Sequence, residues 1–506
     1  MKPQLFFADD SARSATAHPT GRSSDVESQL AAQVGEDLGL SWVVDAMADG
    51  DSAIADTART MLLSGTPHLR DIAHRQAVLA DCVRQPELAA RLYELAGRAV
   101  RAPEDAARGA LFDTPESILE QSRVTLTVFV QLLRELRSLA EHHGSHVESA
   151  GFARLFALVE EQFDEAYLSS ATDRLEQLRI RGEMLVSARL GTNGQSHGFA
   201  LLQPVRQARG LFRRGTGPDS PSATYVAQAG DEASTRALAA VRDAAIADLA
   251  GAVSQSAQHV TSFFAALRAE VGFYLGCLNL RQALVGRSAT VCVPVIEEPG
   301  SCALSARGLY DVGLQLRLDH AVVTNDVIAD GKSLIMVTGA NRGGKSTFLR
   351  SVGLAQLMAA AGMFVAATAF TTSARDRVYT HFARDEDTSL TSGKLDEELR
   401  RMSLTADVIT PRGMLLCNES FQSTNEREGS DIARHILDAM TAAGVCVVFV
   451  THLYALAQGC YDDRTTFPAL FLRAEPGTDA ERSFRLHEAA PSARSHGADL
   501  WGSLQS

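Results

Sequence analysis

Gly339-Ala340-Asn341-Arg342-Gly343-Gly344-Lys345-Ser346-Thr347 follows the pattern of a glycine, four residues, then Gly-Lys-Ser. The stretch before it, Leu334-Ile335-Met336-Val337-Thr338, is a continuous apolar run, and Phe348 to Ala361 after it reads as a helix. Strand, glycine-rich loop and helix in that order are the setting in which such a loop cradles phosphates. Glycines let successive backbone N–H groups point inward, and the start of the helix adds the positive end of its dipole. The spacing therefore predicts a nucleoside triphosphate site, with ATP and Mg2+ as its ligands. Gly339, Asn341, Gly343, Gly344, Lys345, Ser346 and Thr347 line it. Lys345 is expected to reach the outer phosphates, Ser346 to hold the magnesium ion through its hydroxyl, and Thr347 to add a second hydroxyl.

Two later apolar runs have the length of buried strands of a parallel sheet. Met414-Leu415-Leu416-Cys417 ends in Asn418-Glu419, and Val445 to Val450 ends in Thr451-His452. Ligands of open parallel sheets sit beyond the carboxyl ends of the strands, so all three strands are expected to deliver their polar ends to one edge. There Glu419 can polarise the water that attacks the outer phosphate, and His452 can sense or stabilise that phosphate. The bland alternatives are a strand-end surface acid and an ordinary strand-end histidine. Asn418 stands where ATPases of this kind place a metal-linked carboxylate; an amide can accept from a metal-bound water but brings no charge.

A chain of 506 residues, 45% hydrophobic and 22% charged, has room for several domains with sizeable cores. No apolar stretch reads as the roughly 20 residues of a membrane span, and the first residues lack a signal-peptide pattern. The seven cysteines are scattered, which suits free thiols and a cytoplasmic setting. A net charge of −13 speaks against a broadly basic nucleic-acid binder but not against a local patch. Arg206, Arg209, Arg213 and Arg214 form the clearest basic cluster, readable as a solvated loop or as a phosphate-contacting element.

Residues 1–30 read as a flexible tail. Residues 31–287 read as a mainly helical region, with helical spacing over Leu69–Leu79, Ser122–Leu139 and Ala237–Leu284. A small β insertion is expected near 184–202, followed by a Gly-, Ser- and Pro-rich loop over 208–232. From about Ser288 strands and helices alternate, which marks an α/β domain over 288–506.

These residues resemble a known family. Thr338 to Arg350, then Ala355-Gln356 and Gly362-Met363-Phe364-Val365, are similar to the ATPase domain of the MutS family of DNA mismatch-repair proteins, which reads TGPNMGGKST at the loop. The likeness runs on through Thr451-His452. Leu69 to Gln76 with Val78-Leu79 also resembles short bacterial MutS-like proteins. The resemblance implies a mixed fold: an N-terminal mainly α-helical core and lever region, then a C-terminal α/β P-loop domain of ABC type. It implies an ATPase that dimerises, binds DNA in a clamp and acts in mismatch repair or a related process. It places Asp385-Glu386-Asp387, Ser392 and Lys394 at a signature loop, where Ser392 or Lys394 would touch the partner's nucleotide; the acids could equally be a solvated run. Tyr379 and Phe382 fall either near the base or in the core.

The departures from the family are specific. Asn418-Glu419 stands for Asp-Glu, and Ser420 to Gly429 keeps the last glycine of the family's next run but not the earlier ones. Arg342 replaces a methionine. No mismatch-reading domain is recognisable. The leading expectation is a homodimeric ATPase gating a DNA clamp, with no membrane role. The alternatives are a nucleotide-gated scaffold with little hydrolysis, and an ATPase acting on a protein partner.

Overall fold

The computed structural model describes residues 2–8, 22–64, 68–108, 114–179, 185–190, 196–202, 232–384, 393–464, 468–474 and 483–492. The chain divides into two compact units. One comprises Met1–Pro3, Arg91–Ser145 and Phe156–Arg268; the other comprises Gln4–Ala90, His146–Leu155 and Ala269–Ser506.

The chain begins with helices α1 (Arg22–Asp37), α2 (Leu40–Ala48), α3 (Ser52–Ser64), α4 (Leu69–Arg84) and α5 (Pro86–Ala107). The expected tail over 1–30 is corrected on two counts. Residues from Arg22 onward are helical, and Leu5 is fully buried. The N–H of Leu5 donates to the Glu270 carboxylate at 2.6 Å, its carbonyl accepts from the Tyr274 hydroxyl at 2.6 Å, and the Phe6 ring meets Phe273 edge-on at 5.6 Å. Arg75 adds a bond from Nε to the Phe6 carbonyl at 2.9 Å. A short strap is thus tied down by partners up to 269 residues away, which composition alone could not reveal.

The first unit is helical. α6 (Pro115–His143) starts on a reciprocal cap in which Thr114 Oγ1 accepts from the Ser117 N–H and Ser117 Oγ accepts from the Thr114 N–H, with proline in the first turn. Its buried residues Leu119, Ser122, Phe129, Leu133, Leu136 and Ala140 recur at helical spacing. α7 (Ala150–Gln162) and α8 (Glu165–Gln177) follow, then the antiparallel pair β1 (Leu185–Leu190) and β2 (Ser196–Leu202). α9 (Glu232–Val285) is one continuous helix of 54 residues, and its Phe264 packs on Phe129 with ring centres 5.7 Å apart. Within it, Ala239–Val285 is long and apolar enough by composition to cross a membrane, which corrects the sequence reading. Its most apolar window is largely buried within the fold, as a core helix would be.

The second unit carries two sheets. β3 (Val295–Glu297), β4 (Leu304–Leu309), β5 (Asn325–Ile328) and β7 (Ala369–Ser373) form a mixed sheet in the order β3-β7-β4-β5, with the short helix α10 (Val312–Arg317) between β4 and β5 in sequence. β6 (Leu334–Thr338), β8 (Val378–Phe382), β9 (Met414–Asn418), β10 (Cys446–Val450), β11 (Ala469–Ala474) and β12 (Leu486–Glu488) form the other, in the order β12-β11-β6-β10-β9-β8. All its pairings are parallel except β11 with β12. α11 (Lys345–Ala360), α12 (Lys394–Val408), α13 (Glu426–Ala442) and α14 (Tyr454–Asp462) complete the unit. β6, β8 and β10 are buried at every position, which explains the apolar runs of β6 and β10, while β8 also buries Thr380 and His381. The fold is therefore mixed: mainly helical with one antiparallel strand pair in the first unit, helices α1 to α4 with two sheets and their helices in the second.

Candidate functional site at the strand ends

Register brings the predicted residues together. Val450 of β10 pairs with Val337 of β6 on one side and Asn418 of β9 on the other. The 339–347 loop, Asn418-Glu419 and Thr451-His452 therefore leave three adjacent parallel strands at one edge. The backbone closes the connection, with the Glu419 N–H donating to the Val450 carbonyl at 2.9 Å and the Thr451 N–H to the Val337 carbonyl at 3.1 Å.

The loop is shaped by what lies against it. Gly339 has a φ of 116°, and a Cβ there would come within 2.8 Å of the Ala474 nitrogen at the end of β11. At Gly343 a Cβ would meet that of Ala474 at 2.8 Å. The glycines are thus needed for close approach as well as for curling. Gly344, with a φ of 89°, caps α11, whose first turn holds Lys345, Ser346 and Thr347. Asn341 and Arg342 are exposed, and Thr347 is half-buried.

Lys345 is buried, and its Nζ donates to the carbonyls of Gly339 at 2.9 Å and Ala340 at 2.7 Å. Burial pushes its ammonium down to about 8, opposed by the Glu419 charge. Ser346 Oγ donates to Asn418 Oδ1 at 3.0 Å, so the two residues expected near a metal ion already touch. His452 Nε2 lies 3.2 Å from Glu419 Oε1. A carboxylate can only accept, so Nε2 carries the proton in this contact. That hydrogen bond holds the Glu419 carboxyl below its ordinary value, against the opposing effect of burial.

The segment after β9 is strained. Glu419 and Phe421 have φ values of 57° and 63°, in the left-handed region that costs a non-glycine residue roughly 1–3 kcal/mol. Gly429, the glycine retained downstream, sits where a Cβ would fall 2.3 Å from the Phe421 carbonyl oxygen. His381, Glu398 and Ser420 surround this turn as a buried polar group that sequence reading missed. The resemblance places Glu397-Glu398-Leu399 in a signature helix without a role for Glu398, and nothing in the row Asp396-Glu397-Glu398 marks which acid is buried.

Of the other expected positions, Tyr379 and Phe382 lie on β8 and Lys394 on α12. Tyr379 is in the sheet core with its hydroxyl bonded to the Val408 carbonyl at 3.3 Å, and Phe382, buried as well, ends β8 opposite Asn418. Lys394 is exposed at the start of α12. Ser392, the acids 385–387 and the arginine cluster 206–214 lie outside the described residues.

Fold and site define an α/β unit whose parallel strand ends gather a glycine-rich loop, a buried lysine, a carboxylate and a histidine. Two family models match the chain: the MutS2 N-terminal domain over residues 68–287 and MutS domain V over residues 335–483. Among similar curated proteins, the DNA mismatch repair protein MutS of Thermotoga sp. (strain RQ2) is 32% identical over 143 residues, 28% of this chain and 18% of that protein. The endonuclease MutS2 of Thermus thermophilus is 33% identical over 141 residues, 27% of this chain and 19% of its own. MutS protein homolog 4 of Mus musculus is 25% identical over 169 residues, 33% of this chain and 17% of that protein. The chain belongs to the MutS family, and its matches span about a fifth of the length of these relatives.

Proposed function

We propose that this protein is an ATP-dependent DNA-binding protein of the MutS type, in which nucleotide binding and hydrolysis gate a dimeric DNA clamp serving mismatch repair or related DNA processing. The observation that carries the proposal is the convergence of Lys345, the Ser346–Asn418 pair and the Glu419–His452 pair at one sheet edge. The 339–347 loop is read as an ABC-type P-loop. The names of the similar proteins support the DNA-processing half. Homodimerisation and a cytoplasmic setting belong to the same proposal. The free cysteines of the described residues support the setting, and the burial of the apolar helix supports a role away from membranes.

The chemistry follows from the side chains. Lys345 exchanges its two carbonyl acceptors for the outer phosphates, a charge-assisted contact stronger than the one it leaves. Ser346 Oγ and Asn418 Oδ1 are hard oxygen donors of the kind magnesium accepts, and the group they would hold supplies charge neutralisation at the phosphates. Glu419, ionised and oriented by His452, takes the proton of the attacking water. Differential affinity of ATP for two arrangements of the dimer is what would shift the clamp.

The test is binding of ATP and duplex DNA by the purified protein over a range of salt. Saturable ATP binding is expected, with DNA affinity falling as salt rises by a slope of about 0.9 per phosphate contacted. ATP binding with salt-independent or absent DNA affinity would overturn the DNA half and favour a protein partner.

Asn418 favours a second reading, a nucleotide-gated module with little hydrolysis, because no carboxylate joins Ser346 at its pair. Asn418→Asp is expected to lower the magnesium concentration for half-maximal turnover about tenfold, an effect of roughly 1.4 kcal/mol. Brisk wild-type turnover that Asn418→Asp leaves unchanged would remove this second reading.

A further inference from the structure

The turn carrying Glu419 is gripped by α12 through a residue one turn beyond Lys394. Glu398, in the second turn of α12, is 2% exposed. Its Oε2 accepts the backbone N–H of Phe421 at 2.9 Å and the hydroxyl of Ser423 at 3.2 Å. Its main-chain carbonyl lies 3.0 Å from Nε2 of His381, near the end of β8. A carbonyl only accepts, so Nε2 carries the ring proton and Nδ1 is left as an acceptor. Ser420 Oγ stands 2.7 Å from that Nδ1 and 2.7 Å from the His381 carbonyl, and its single proton serves one or the other. The His381 ring stacks on Phe421 with centres 5.2 Å apart. Residues 420, 421 and 423 are therefore fixed through Glu398 and His381, while the Glu419 side chain stays free to face His452.

Two further observations point the same way. The turn holds its left-handed residues at positions 419 and 421, a conformation that persists only where the surroundings over-determine it. Glu398 is also a poor choice for stability alone. Its Oε1 is buried without a hydrogen-bond partner among the described residues, and an apolar side chain of similar volume would avoid that desolvation.

We propose that Glu398 is a positioning residue for Glu419: it locks the 419–423 turn so that the carboxylate of Glu419 points at the attacking water. Loosening the grip of Glu398 on this turn would then tune hydrolysis without altering nucleotide affinity. This rests on the reading of Glu419 as the water-orienting residue.

The test compares wild type, Glu398→Ala, Glu398→Gln and Ser423→Ala for ATP turnover and for binding of a fluorescent ATP analogue. Glu398→Ala is expected to lower kcat by about 10–100-fold, within the range of a misaligned general base, with analogue affinity within about twofold of wild type. Glu398→Gln should restore most of the loss, because its amide oxygen still accepts the Phe421 N–H. Ser423→Ala keeps the buried carboxylate and should lower kcat a few-fold, which preserves the test where Glu398→Ala fails to fold. Wild-type kcat in Glu398→Ala, or in Ser423→Ala where that variant carries the test, overturns the inference alone. Losses of affinity and kcat together, unrescued by Glu398→Gln, also overturn it, as a purely structural role would give them. Absence of analogue binding by wild type overturns the ATPase reading, and the inference with it.

Discussion

Replacing Lys345 by alanine should weaken ATP binding by about 10–100-fold, the worth of one hydrogen bond to a charged group, and cut turnover further. Nζ is the buried cation at the loop, held by the Gly339 and Ala340 carbonyls until a ligand draws it away. Lys345→Arg is not a rescue, because a planar guanidinium cannot occupy the space of a point charge enclosed by the loop. Isothermal titration of both variants, with thermal melting to confirm that they fold, checks this; wild-type affinity in Lys345→Ala would sink the nucleotide reading. The same residue sets a pH dependence. In the free protein burial lowers its ammonium to about 8, so above that pH the amine is largely neutral. Phosphates favour the charged form and raise the value. Binding near pH 8 must therefore take up protons and must weaken as pH rises above 8. Titrations in buffers of different ionisation enthalpy measure that uptake, and no uptake at pH 8 contradicts the contact.

Glu419→Gln should do the opposite: keep ATP affinity within about twofold and reduce turnover by about 10²–10⁴-fold, the usual contribution of a positioned base. Glutamine preserves the size of the side chain but cannot take a proton. The wild-type carboxyl is held below its ordinary value chiefly by the bond from His452, so it is ionised at neutral pH and remains so into the acid range. Its stabilising contact is present above the unfolded carboxyl's value and is lost only as pH falls through the lowered one. Single-turnover kinetics with the variant would show stable ATP binding and slow cleavage. Cleavage at the wild-type rate would assign the water to another group.

The order of motifs was legible because β6, β9 and β10 are buried, so their composition is uniformly apolar and their polar ends stand out. The Ser346–Asn418 and Glu419–His452 contacts follow from that order once register aligns the strand ends. What stayed hidden depends on long-range burial. Leu5 opens a short apolar run, Leu5 to Ala8, between polar residues, and partners such as Glu270 and Tyr274, supplied by α9, make it core. Glu398 is one acid in a row of three until α12 folds it beneath the 419–423 turn. Tyr379 and Phe382 are aromatics that the sheet buries, Phe382 at the strand end beside Asn418.

The packing of Gly339 and Gly343 on Ala474 has a consequence for biosynthesis. β6 takes both its neighbours, β10 and β11, from more than 100 residues downstream. Such distant parallel pairings are assembled late, because the entropy of closing the intervening chain must be overcome first. While a ribosome is still translating toward Ala474, the glycine loop has no wall to rest on. On the proposed function, a nascent chain is expected to capture nucleotide only after β11 has left the exit tunnel, well after residue 474 is translated.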